Sequence, residues 1–348
     1  MRTNELEKVV RRQRLDAVLI ADPANIRALT GIVCDNAVLQ LTRTARGVAA
    51  AFFTDFRYAP MVRRVAPELT CRDLRRLGGA KGGTRKRPCP KRAGYESSVP
   101  HARFLAWQKL FPKTTFVDVA KDVAAIRAVK TADEIAGLRA AERLNCEIWA
   151  AARASFRAGM TEREMARLIR KLMIERGDGE AFDTIVCVGR NAAECHHLPD
   201  DTVWNGREPV LVDMGVKLDG FCSDLTRNIV PKRPRPLYRQ VYDLVLTANR
   251  AAIAAARPGI TGRQLDKVAR DVIRKGGFGR CFGHSLGHGV GYEIHEAPTA
   301  SPRSDTVLQP GMLVTIEPGV YLEDNLGVRI EDLILITETG CEVLSAGC

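Results

Sequence analysis

Six histidines occur in the 348 residues, and five fall in two short windows: His196–His197, and His284, His288 and His295. Four carboxylates stand at the ends of strand-like runs. Asp213 ends PVLVD, Asp224 lies in FCSDLTRNIV, Glu317 ends MLVTIE and Glu331 lies in VRIEDLILI. Imidazoles and carboxylates are the side chains that bind divalent cations and move protons near neutral pH. A lone histidine is more often a packed or solvated residue than a ligand, so the clustering is what points to chemistry.

The spacing adds geometry. A hairpin turn near residues 217–220 would set Asp213 opposite Asp224. A second, centred near Asp324, would set Glu317 opposite Glu331. Directly opposed side chains have Cβ atoms about 4.5–5.5 Å apart. Two bare carboxylates at that range repel, and a cation between them removes the repulsion. His288 lies in the glycine-rich segment GHSLGHGVGYEIHEAP, which can bring an imidazole into a crowded site. Four carboxylates and one imidazole form an oxygen-rich set, better suited to Mn²⁺, Fe²⁺ or Co²⁺ than a thiolate zinc site. Four negative charges balance two divalent ions, held about 3.5–4 Å apart in the two-metal hydrolases, where bound water ionises near neutral pH. The G-x-G pieces between Gly287 and Gly291 are not a dinucleotide fingerprint, because HEAP follows them instead of a helix and a ribose-binding acid.

These residues need a framework. Residues 16–22, 37–41 and 48–54 have strand patterns, with a turn at Pro23, a helix over 58–65 and a short strand within 109–119. Strands alternating with helices give a small α/β domain over residues 1–122. From residue 123 the pattern turns to long helices. Thr131 with Glu134 and Thr161 with Glu164 are capping boxes that open helices over 132–154 and 162–176. Strands are expected at 209–214, 222–230, 312–317 and 328–337, and helices at 237–256 and 262–275. Residues 123–348 therefore read as an α+β domain, and it carries every candidate ligand.

Composition sets the outer limits. An apolar content of 45% supports a sizeable core, and no apolar run is long enough to span a bilayer. The first residues, MRTNELEKVVRRQRLD, form a charged amphipathic pattern with no secretory h-region. The ten cysteines include no C-x-x-C pair, so a cytoplasmic location with reduced thiols is expected. The net charge of +12 raises the question of nucleic acid, most sharply at GGAKGGTRKRPCPKR, residues 78–92. That stretch has loop composition and lacks the P-loop order, and a solvated basic loop is the plainer reading.

The segments VLVDMGVKLDGFCSDLTRNIV, GHSLGHGVGYEIHEAP, GMLVTIEPGVY and GVRIEDLILIT resemble the signature blocks of the creatinase/aminopeptidase, or pita-bread, metallopeptidases. Within that fold the chain is similar to the Xaa-Pro peptidases, aminopeptidase P and prolidase. DAVLIADPANIRALTG, FFTDFRY and GYESSVP are similar to their N-terminal domain, and FDTIVCVGRNAAECHH adds to the likeness. The resemblance implies Asp213, Asp224, His288, Glu317 and Glu331 as ligands of two divalent ions, with Mn²⁺ first and Co²⁺, Zn²⁺ or Fe²⁺ as alternatives. It implies Asp224 and Glu331 as the bridging pair and Glu317 as a proton shuttle. His295 would contact the scissile region and His196 assist proton transfer, with His284, Tyr321 and Arg329 near the substrate. His197 has the weaker case and is taken as a neighbour.

The implied substrate is a proline-containing peptide. The bond before proline is a tertiary amide without an N–H, which most peptidases use as a handle. Aminopeptidase P is narrowly preferred over prolidase, and a homodimer is expected by resemblance alone. A metal-free creatinase-like hydrolase is disfavoured because all five ligand positions are filled. A non-catalytic nucleic-acid- or histone-binding relative is disfavoured on the same ground. No membrane partner is expected.

Overall fold

The computed structural model describes residues 2–45, 47–78 and 89–348. Most of the basic stretch, residues 79–88, lies outside the described residues. The chain divides into two compact units, Met1–Arg127 and Ala128–Cys348. The 122/123 boundary read from sequence falls inside the helix Ala120–Ala128.

The first unit is a mixed sheet flanked by helices. Its strands are β1 (Ala17–Ile20), β2 (Ala37–Thr44), β3 (Gly47–Thr54), β4 (Thr70–Asp73), β5 (Arg92–Tyr95) and β6 (Thr115–Asp118), in the order β4-β3-β2-β1-β5-β6. All four residues of β1, AVLI, are buried, as a central strand covered on both faces requires. The helices are α1 (Thr3–Arg12), α2 (Pro23–Thr30), α3 (Ala59–Val65), α4 (His101–Leu110) and α5 (Ala120–Ala128). Pro23 does not make the expected turn. It is the first residue of α2, behind Asp22, whose carboxylate accepts the Asn25 N–H. Proline fits there because a first-turn N–H has no helical partner to lose.

The second unit is built twice over. Its first half has α6 (Ala132–Ser155), α7 (Glu162–Arg176), β7 (Gly179–Glu180), β8 (Ile185–Val188), β9 (Val210–Met214), β10 (Val216–Leu218), β11 (Phe221–Cys222) and β12 (Leu225–Ile229). Its second half has α8 (Pro236–Ala255), α9 (Gly262–Lys275), β13 (Gly287–Gly289), β14 (Glu296–Ala300), β15 (Leu313–Ile316), β16 (Gly319–Leu322), β17 (Leu326–Arg329), β18 (Asp332–Ile336) and β19 (Cys341–Val343). Each helix pair turns at a left-handed glycine, Gly159 or Gly259, followed by a threonine cap, Thr161 or Thr261, in a capping box. The helix starts are docked alike. The Glu162 and Arg163 N–H groups donate to Thr202 and Asp200, and those of Gly262 and Arg263 to Thr306 and Ser304. Ile148, Met165, Ile169 and Met173 pack against Val186, Val210 and Val212 in one half. Val241, Leu265, Ala269 and Ile273 pack with Val314, Ile316 and Ile334 in the other. This is the α+β arrangement expected of residues 123–348.

Strand register sets where the carboxylates point. Ile316 pairs with Asp332 and Gly319 with Arg329, so Glu317 and Glu331 lie opposite each other in the gap, as the spacing suggested. The other pair departs from expectation. Asp213 pairs with Thr226, and Asp224 lies before β12. The turn falls on Asp219–Gly220, both at positive φ, one residue later than assumed.

One pair of thiols also departs from expectation. Cys146 of α6 and Cys348 are joined as a disulfide across 202 residues, with a Cα–Cα distance of 5.2 Å. Among the described residues, no helix is long and apolar enough to cross a membrane.

Candidate metal centre

The ten residues singled out by the sequence meet in the second unit. Asp213, Asp224, His288, Glu317, Glu331, His295, His196, His284, Tyr321 and Arg329 all line one cavity of about 590 Å³. The first half of the unit contributes Asp213, Asp224 and His196, and the second half the rest.

The carboxylates crowd around one imidazole. His288 Nε2 lies 3.5 Å from Asp224 Oδ2 and 3.3 Å from Glu317 Oε1. Ligand atoms of Asp224, His288 and Glu331 lie within 4.8 Å of one another. Gly287 makes this approach possible, since a Cβ there would stand 1.8 Å from the Thr315 carbonyl oxygen. The Thr315 hydroxyl accepts the His288 N–H at 3.0 Å and donates to Glu317 Oε1 at 3.1 Å.

A second layer holds the carboxylates in place. Arg329 donates to Asp213 Oδ2 at 2.6 Å, to the Thr226 hydroxyl at 3.1 Å and to the Tyr321 hydroxyl at 2.8 Å. The Thr226 hydroxyl in turn donates to Glu331 Oε2 at 2.7 Å. His284 Nε2 meets the Tyr321 hydroxyl at 2.9 Å. His295 stands edge-on to His288, with ring centroids 4.4 Å apart. Its neighbour Glu296 is ion-paired with Lys130 in the interior.

The electrostatics follow from burial. Desolvation, reinforced by Glu331, Asp213 and Glu317, holds the Asp224 carboxyl well above the usual carboxylate range. Desolvation, then the charges of Glu317 and Asp213, does the same to Glu331. Burial pushes Glu317 up to about 8, although Arg329 opposes the shift. The His288 imidazole is driven down to about 4, first by burial, so it is neutral at pH 7 and has a lone pair to offer. Burial likewise lowers His284 to about 4. Burial works against the Arg329 charge, and Tyr321, Asp213 and Glu317 more than offset it.

The donor set fits two divalent cations. Four carboxylates and a neutral imidazole converge, and Asp213 Oδ1 is buried with no hydrogen-bond partner. Sequence reasoning missed the supports: Thr226, Thr315, and Glu142 of α6. Glu142 is fully buried and accepts the Asp224 N–H. Burial, opposed by that hydrogen bond, pushes its carboxyl up to about 8. No spacing rule links residue 142 to residue 224, so the sequence offers no signal for it. His197 lies beside His196 but does not line the cavity. Its ring meets Glu162 at 2.8 Å.

Residues 136–338 match metallopeptidase family M24, and residues 2–129 match the creatinase/prolidase N-terminal domain. An Xaa-Pro dipeptidase of Pyrococcus furiosus is 42% identical over 229 residues, 66% of this chain and 65% of that protein. The structure resembles an Xaa-Pro dipeptidase from Bacillus anthracis with a TM-score of 0.90 and 29% identity, covering 100% of this chain and 97% of that one. It resembles an X-Pro aminopeptidase from Thermotoga maritima with a TM-score of 0.83 and 31% identity, covering 97% of each chain.

Proposed function

The chain belongs to metallopeptidase family M24, and from that premise we propose that it is an Xaa-Pro dipeptidase, cleaving the bond before proline in dipeptides. The observation that carries the choice is the 42% identity to an Xaa-Pro dipeptidase over 229 residues. The sequence alone favours aminopeptidase P by a narrow margin, and that preference gives way here. Aminopeptidase P remains the second reading because of the likeness to the Thermotoga maritima enzyme.

The residues divide the work as follows. Asp213, Asp224, His288, Glu317 and Glu331 would hold the metal pair, with Mn²⁺ as the favoured ion and Co²⁺, Zn²⁺ or Fe²⁺ as alternatives. When bound, the ions supply Lewis acidity at the scissile carbonyl and lower the pKa of water. Glu317 would take a proton from the attacking water and return it to the departing proline nitrogen. His295, which lines the cavity beside His288, would donate to the developing oxyanion. His196 lines the cavity and would offer a ring N–H to a terminal carboxylate, whereas His284 shapes the wall, its ring nitrogens held by the Ser285 carbonyl and the Tyr321 hydroxyl. Tyr321 and Arg329 orient His284 and Asp213. The reading includes a homodimer, to be tested by light scattering.

Hydrolysis of Xaa-Pro dipeptides and Xaa-Pro-Yaa tripeptides, side by side with Mn²⁺ and with chelator, tests the proposal. Metal-dependent cleavage of the dipeptide alone is the expected result. Cleavage of the tripeptide would move the assignment to aminopeptidase P. Activity that survives the chelator would contradict both.

A further inference from the structure

His196 stands on a segment with little regular structure of its own. After β8 comes a short 3₁₀ turn, Gly189–Ala193, and then an irregular stretch to residue 202. Within it the His197 N–H closes a turn onto the Glu194 carbonyl, with Cys195 and His196 at the corner. Both corner residues line the catalytic cavity. A loop of this kind holds a reactive side chain steady only if something outside it fixes the backbone.

One buried carboxylate does this. Glu162, the first residue of α7, is completely buried. Its Oε1 accepts from Val188 N at 2.6 Å and from Asn191 Nδ2 at 2.9 Å. Its Oε2 accepts from His197 Nε2 at 2.8 Å and from Asp200 N at 3.1 Å. The four donors span the segment from end to end. His197 Nδ1 also faces Glu194 Oε2 at 3.4 Å, so the ring has an acceptor on each side. The hydrogen bond to Glu162 raises the imidazole's pKa against the opposing effect of burial.

The repeated architecture shows that α7 does not need this carboxylate for itself. The same position at the start of α9 is Gly262, under the same threonine cap and docked by the same two backbone bonds. Glu162 therefore serves the 188–200 segment and not the helix. The atoms of Glu162, His197 and Asp200 lie close enough to suggest a cation site. However, both Glu162 oxygens already accept two protons each, so the cluster is satisfied without one.

We propose that Glu162 is a positioning residue: through His197 and three further hydrogen bonds it fixes the turn that presents His196 to the catalytic cavity. The structural half of this inference stands alone, and the catalytic half rests on the peptidase reading above.

Glu162→Gln is the test variant. A carboxamide keeps the shape, but whichever way it flips, its NH₂ faces donors that the carboxylate accepted. Hydrogen exchange should quicken about tenfold or more across residues 188–202 while the α7 core stays protected. Steady-state kinetics should show kcat falling by about 10- to 100-fold, the usual range for a support one layer from the chemistry. In a His196→Ala background, Glu162→Gln should have no further effect on kcat. His197→Ala should reproduce the loss and His197→Gln restore part of it, since its amide can donate to Glu162; these two serve if Glu162→Gln does not fold. Unchanged exchange in both the Glu162→Gln and His197→Ala proteins would overturn the inference. So would a kcat penalty of the same size with and without His196. If the wild type cleaves no Xaa-Pro substrate, the peptidase reading fails, and the exchange measurement alone decides whether Glu162 holds the turn.

Discussion

The Arg329 guanidinium and the Asp213 carboxylate form a 2.6 Å ion pair in the interior, with side chains 4% and 13% exposed. The pair occupies Asp213 Oδ2 and leaves Oδ1 without a partner. One oxygen is thus anchored and the other is free to ligate. Arg329→Met should let Asp213 swing and weaken divalent-metal binding by about 10- to 100-fold. Calorimetric titration of the metal-free protein with Mn²⁺ measures this, and an unchanged affinity would show that Arg329 has no part in holding the site.

Thr226 relays the same arginine to a second ligand. Its hydroxyl accepts from Arg329 Nε and donates to Glu331. Thr226→Val keeps the shape and removes both bonds. It should destabilise the protein by about 1–3 kcal/mol, the cost of stranding buried polar groups. Urea denaturation of the metal-free protein reads this directly, and a loss below experimental error would contradict the relay.

Gly287 is required by contact. Any side chain there meets the Thr315 carbonyl, and Thr315 supports both His288 and Glu317. Gly287→Ala must push β13 away from β15. We expect a loss of about 1–3 kcal/mol in stability and a larger loss in metal affinity, because His288 moves with the strand. A fully active, fully stable Gly287→Ala protein would show that the close approach is dispensable.

The buried carboxyls make a signed prediction about pH. Glu317 and Glu142 have folded-state values of about 8, above their unfolded 4.5. Between those values the folded state binds more protons than the unfolded one, so stability falls as pH rises. His288, lowered from 6.5 to about 4, acts in the opposite sense, but only below about pH 6.5. The raised His197 has the same sign as the carboxyls. From pH 6.5 to 8 the metal-free protein should therefore lose thermal stability, and saturating Mn²⁺ should weaken the trend by removing the share of Glu317 while that of Glu142 remains. A melting temperature that is flat or rising with pH without metal would contradict the assigned protonation.

Much of the site is legible in the sequence because ligands at strand ends follow hairpin arithmetic. Glu317 and Glu331 face each other as their spacing indicates, across the gap between Ile316↔Asp332 and Gly319↔Arg329. The register of Asp213 is legible too once the turn is set on Asp219–Gly220, the two-residue turn these residue types favour. Pro23 misleads because proline both makes turns and opens helices, and only the Asp22 cap decides between them. His196 and His197 are adjacent and identical, so residue type does not separate them; the family resemblance favours His196, and the fold sends it to the cavity and His197 to Glu162. Glu142 and Glu162 were beyond reach for a related reason. Their partners lie 82 and up to 38 residues away, and no local pattern marks a buried carboxylate as a support.

The most direct test of the account is the number of Mn²⁺ ions the metal-free chain binds. Titration of the wild-type protein should end at about two per chain, the number that four carboxylates neutralise. Glu331→Gln, which removes a buried charge placed between the others, should bind fewer. A wild-type end point of one or none, or a Glu331→Gln protein that still binds two, would contradict the assignment of these residues as a dinuclear centre.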